Sequence, residues 1–150
     1  MVNIIASEEK FDNVLFEEFC SEKGFEFSEY MIDFMTVNND CEFGDNYIEV
    51  DGEKYSIKYM YGATKENYSS IVKQYEEYLD RIPEGLVPIG RDEFDNQICI
   101  AMDSDHYGEI YFWDHEFMEP IFEEETELEI NQMPLLANNF NEFIHKLIEV

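Results

Sequence analysis

Basic residues are scarce in this chain. Nine Lys and Arg stand against 36 Asp and Glu in 150 residues, a formal net charge of −27. From Asp92 to His145 there is no Lys or Arg at all. A field of this sign repels phosphate backbones and anionic lipid, which excludes direct nucleic-acid binding and a membrane-surface role. Cysteine is sparse too. Cys20, Cys41 and Cys99 are odd in number and none forms a CxxC pair. Buried free thiols are therefore expected, not a secreted disulfide framework. No apolar run approaches the ~20 residues that cross a bilayer. The start, MVNIIASEEKF, lacks the basic region and long apolar core of a signal peptide. These absences predict a cytoplasmic protein.

Catalytic signatures are also missing. There is no Ser or Cys nucleophile elbow and no Gly-rich phosphate loop. Carboxylates are so abundant that no pair stands out for acid/base work. The expectation is a protein that is not an enzyme and needs no cofactor or metal.

What the chain does have is apolar mass, 45% of residues, with 16% aromatic. That composition collapses rather than remaining disordered. At this length one domain, residues 1–150, can bury roughly 70% of its unfolded surface. Ser7 with Glu8 and Glu9 reads as a helix start. The stripe Phe11, Val14, Leu15 and Phe19 predicts a helix over 8–23 closed by Gly24. Ser28 caps a second helix to Val37, with Met31, Phe34 and Met35 inward. Asp51-Gly52 between alternating runs predicts a type I′ hairpin. Thr64 caps a third helix over 65–80, with Tyr68, Ile71, Val72, Tyr75 and Leu79 inward.

Three short strands follow: Leu86–Ile89, Gln97–Met102 and Glu109–Asp114. Pro88 predicts an edge position for the first. The other two are apolar on both faces and read as central, with Trp113 and Tyr111 on one face and Ile110 and Phe112 on the other. Pro134 fits the first position of a last helix carrying Leu136, Phe140, Phe143, Ile144 and Leu147. Short connections make the sheet mostly antiparallel, packed with four helices: the α+β class.

Two motifs invite metal readings, and neither holds. Asp103-Ser104-Asp105-His106-Tyr107-Gly108 resembles the start of a calcium loop, but Tyr107 stands where an oxygen ligand is needed. Asp114-His115-Glu116 cannot converge on one ion from a strand, because successive side chains point to opposite faces. An acidic turn and a strand end are the plainer readings.

The stretch Leu86-Val-Pro-Ile-Gly, an apolar strand, an acidic turn and Gly108-Glu-Ile-Tyr-Phe-Trp-Asp-His-Glu116 resembles the SUKH superfamily, the domain of the Smi/Knr regulators and of many bacterial immunity proteins. The helix order fits as well. Three positions depart from the pattern. Phe27-Ser28 stands where many members have Leu-Pro, Asn38-Asn39-Asp40 where many have Asn-Gly-Gly, and Asp95 where a Gly is usual. The resemblance implies a non-catalytic protein that binds and neutralises a cognate toxin C-terminal domain. The alternative it implies is a regulatory protein-binding adaptor of the fungal type.

Charge favours the first reading. A basic nuclease cleft accepts an acidic protein as a substrate-like decoy. The candidate contacts are Asp103, Asp105, Glu109, Asp114, Glu116, Glu119, Glu123, Glu124 and Glu125, acting as phosphate mimics. Repulsion among so many like charges predicts a monomer when free.

Overall fold

The structure is a computed structural model that describes residues 4–44, 46–65, 69–115, 130 and 133–149. Strand β1 (Ile4–Ile5) is followed by helices α1 (Asn13–Lys23) and α2 (Glu29–Val37). Strands β2 (Cys41–Phe43), β3 (Asn46–Val50), β4 (Glu53–Ser56) and β5 (Tyr59–Met60) come next, then α3 (Ile71–Glu77). The meander is β6 (Leu86–Arg91), β7 (Gln97–Ala101) and β8 (Ile110–Trp113). Strand β9 (Leu135–Ala137), helix α4 (Phe140–Lys146) and β10 (Ile148–Glu149) complete the order. Seven strands form one sheet in the order β1-β2-β5-β6-β7-β8-β9, and β10-β3-β4 form a second. Every pairing between these strands is antiparallel. This is the expected α+β architecture.

The meander separates two cores, as alternation requires. Ile98, Ile100, Ile110 and Phe112 face the main core with Phe16 and Phe19 of α1, Met31 and Met35 of α2, and Phe143 of α4. Cys99, Ala101, Tyr111 and Trp113 face a smaller one with Ile82, Leu86 and Met133. Trp113 is fully buried and meets Tyr78 edge-on at 5.4 Å. Cys41 and Cys99 are buried, Cys20 is half-buried, and all three thiols are free. Burial pushes the Cys20 thiol up to about 11 and Cys41 up to about 12, so both stay protonated.

Several elements differ from expectation. Helix α1 starts at Asn13, not residue 8, because Asp12 takes the cap and accepts from the Leu15 N–H at 3.0 Å. Ser7 instead accepts from Glu9 N–H in a local turn. Phe11 and Phe16, just before the cap and four positions after it, meet at 5.3 Å as a hydrophobic staple. Val14 is exposed. Helix α3 starts at Ile71, after Ser70. Thr64 is engaged elsewhere: its hydroxyl donates to Asp40 at 2.7 Å and accepts from Asn39 at 3.0 Å. Tyr68 lies outside the described residues, and Leu79 is exposed.

Pro88 is not at an edge. β6 lies between β5 and β7, but the ladder to β5 covers only Gly90 and Arg91, and the register to β7 slips between Pro88 and Gly90. A bulge with one unladdered flank tolerates the missing N–H. Pro134 does not open a helix either. Leu135–Ala137 pair with β8 as a strand, and α4 begins after Asn139, which accepts from Glu142 N–H at 2.7 Å.

The Asp51-Gly52 turn has positive φ at both residues, 52° and 83°, as type I′ demands. Its hairpin belongs to the smaller sheet. Asp40 and Asp95, two of the departures from the family pattern, have φ of 47° and 67°. They hold the left-handed backbone that glycine would otherwise supply, which Asp tolerates better than most residues.

Candidate partner-binding surface

The β7–β8 connection is built by its backbone. Gly108, at φ 85°, donates to Ala101 C=O at 2.9 Å, and Glu109 N–H donates to His106 C=O at 3.0 Å. These bonds close residues 103–109 into a compact loop at one end of the sheet. Within it, Asp103 Oδ2 lies 2.8 Å from His106 Nδ1. Glu109 accepts from the Tyr111 hydroxyl at 2.8 Å. Burial, reinforced by the Glu109 and Asp103 carboxylates, drives the Tyr111 phenol well above its ordinary range and keeps it a donor. Asp105 is exposed.

Two other segments meet this loop. The Tyr107 hydroxyl donates to Glu26 C=O, in the link between α1 and α2. Burial and the Glu26 carboxylate both raise the Tyr107 phenol. On another side, Met102 N–H donates to Gly85 C=O at 2.7 Å. A Cβ on Gly85 would stand 3.1 Å from Asp103 Cβ, so the Glu84-Gly85 turn lies directly against Asp103. Asp103, Asp105 and Glu109 are thus joined by Glu26 and Glu84. Neither addition carries a local signal in the sequence, since Glu26 reaches the loop across 81 positions.

Asp114 is not part of this group. It follows the far end of β8, five residues from Glu109 and about 17 Å away at strand rise. There it neighbours His115, whose ring and backbone nitrogens lie 2.7 and 3.1 Å from Asn96 Oδ1 in the β6–β7 turn. Glu116, Glu119, Glu123, Glu124 and Glu125 lie outside the described residues. Among the described residues, no group of three metal-ligating side chains converges, and no helix is long and apolar enough to cross a membrane.

The chain is similar to the SPbeta prophage-derived uncharacterized protein YokK of Bacillus subtilis (strain 168), 33% identical over 90 residues. That match covers 60% of this chain and 40% of YokK, so the chain spans less than half of the relative's length. No solved structure matches it. The family model described as SMI1 / KNR4 family (SUKH-1) matches residues 10–146, across both cores and the acidic loop, and the chain belongs to that family.

Proposed function

We propose that this chain is an immunity protein that binds a cognate toxin domain and neutralises it without chemistry. Its target is a basic protein, a nuclease whose phosphate-binding cleft the acidic surface occupies. Residues 1–150 act as one domain, in the cytoplasm, monomeric until the toxin is met. The observation that carries this reading is the carboxylate-rich end of the sheet. Asp103, Asp105 and Glu109 sit on a loop fixed by its own backbone bonds, with Glu26 and Glu84 brought alongside. Carboxylates held in place ahead of binding lose little freedom when a cation arrives, and their field speeds the encounter. The acids at 114, 116, 119 and 123–125 are further proposed contacts for the cations of the partner. Family membership and the prophage origin of a relative support a role of this kind.

The test is titration against the C-terminal toxin domain encoded beside this gene, at several salt concentrations, with growth rescue in parallel. Tight binding that weakens steeply with salt, together with rescue, is expected. Charge reversal at Glu26, Asp103, Asp105 and Glu109 together is expected to weaken binding, with some fall in melting temperature because Asp103 and Glu109 also pair with His106 and Tyr111. A folded quadruple variant that binds as tightly as the parent would overturn the assignment of this end.

A further inference from the structure

Next to the acidic end lies a cavity of about 250 Å³ between α3 and the start of β6. Tyr75, Tyr78, Leu79, Ile82 and Leu86 form its walls, with Glu84 at its border. We propose that this pocket receives one arginine side chain of the basic partner, an inference that rests on the function proposed above.

Its position is the first reason. Gly85 lines the cavity and abuts Asp103. Tyr75 meets Phe25 at 5.5 Å, and Phe25 precedes Glu26, which Tyr107 ties to the acidic loop. The pocket therefore adjoins the acidic loop through Gly85 and the Glu26 link through Tyr75. An interface with an apolar centre and a charged border has the usual anatomy of a protein-binding surface.

Its chemistry is the second. Leu79 is 53% exposed, an apolar side chain left in water at the pocket. Glu84, Glu76, Glu77 and Asp80 are exposed on or beside the lining segment. Apolar walls with a carboxylate border match a side chain that has an apolar stem and a cationic head. The protein already holds its own cations on these rings: Lys23 lies 5.8 Å from the Tyr75 centroid, and Arg81 lies 5.1 Å from that of Tyr78. Arginine suits the site better than lysine because its planar, weakly hydrated head stacks on aromatic faces. Arginine is also prominent among residues that anchor interfaces.

Two measurements decide it. In the first, N-acetyl-arginine amide is titrated into the intact chain by NMR, beside its neutral isostere N-acetyl-citrulline amide. Shifts of the Leu79, Ile82 and Leu86 methyls with arginine and not with citrulline are expected. Equal shifts, or none, would overturn the proposal. In the second, Leu79→Lys and Leu79→Glu are compared for binding the neighbouring toxin domain. Both changes lie at an exposed position, and an unchanged melting temperature verifies the fold. Both variants lose the same apolar wall, and the repelling charge of Leu79→Lys is expected to weaken binding about tenfold more than the attracting charge of Leu79→Glu. Equal losses in both would mean an apolar anchor and sink the arginine assignment. No loss in either, while charge reversal at Asp103 and Asp105 still weakens binding, would remove the pocket from the interface and leave the immunity function standing. Absence of toxin binding by the parent chain would strike the immunity function itself, and the arginine titration would still judge the pocket.

Discussion

The two turns of the meander are both acidic, and Asp92 in the first and Asp105 in the second are used in opposite ways. Between β6 and β7, Asp92 is only 5% exposed. Its carboxylate accepts from Phe94 N–H at 2.8 Å, Asn96 N–H at 2.9 Å and Asn96 Nδ2 at 2.9 Å. Asp95 lies 3.9 Å from Arg91. Between β7 and β8 the backbone closes its own loop, and Asp105 is left facing water. An acid in an acidic turn is therefore either an internal acceptor or part of an outward field. The sequence shows the charge, and the hydrogen bonds decide which role it has.

Substitutions at the two turns sharpen the contrast. Asp92→Ala strands two backbone donors and a side-chain donor, a loss of about 1–3 kcal/mol of unfolding free energy in urea melts. Gly108→Ala forces a side chain onto φ 85°, at a cost of about 1–2 kcal/mol by the same measurement. Asp105→Ala removes an exposed carboxylate and is expected to change stability by less than about 0.5 kcal/mol. A loss in Asp105→Ala equal to that in Asp92→Ala would erase the distinction between the two ends.

Much of the fold was legible because its signals were local. Ser28, Gly24 and Asp51-Gly52 each need only neighbouring residues to act as cap, stop and turn, and each does so. The two faces of β7 and β8 followed from alternation alone. The errors arose where two local readings competed. Ser7 and Asp12 are both good caps, and the Phe11–Phe16 staple favours Asp12. Leu135–Ala137 is too short to reveal its period, and pairing with β8 makes it a strand. Pro88 pointed to an edge because the bulge that accommodates it has no sequence signature. For the candidate surface, Asp103, Asp105 and Glu109 were visible as one acidic loop. Glu26 and Glu84 join it only through tertiary contacts.

Asp40 takes the contrast to an acid that is turned inward and still costs stability at neutral pH. Its carboxylate accepts from Gly62 N–H and from the Thr64 hydroxyl, each at 2.7 Å, pinning the α2–β2 turn to the segment after β5. Burial nevertheless raises its proton affinity above that of an ordinary Asp, outweighing those two bonds, and Glu9 adds to the rise. The folded state then holds the proton more tightly than the unfolded chain. Stability from this group falls as pH rises through the gap between the two values, and it returns as pH falls. Asp40→Asn cannot titrate, so it lacks this component. In paired urea melts the parent is expected to gain on Asp40→Asn as pH drops from 7 toward 4.5. Comparing the two chains cancels the general relief of charge repulsion that acid brings to both. If the variant gains on the parent instead, the hydrogen bonds outweigh burial, and Asp40 resembles a carboxylate stabilised in its charged form.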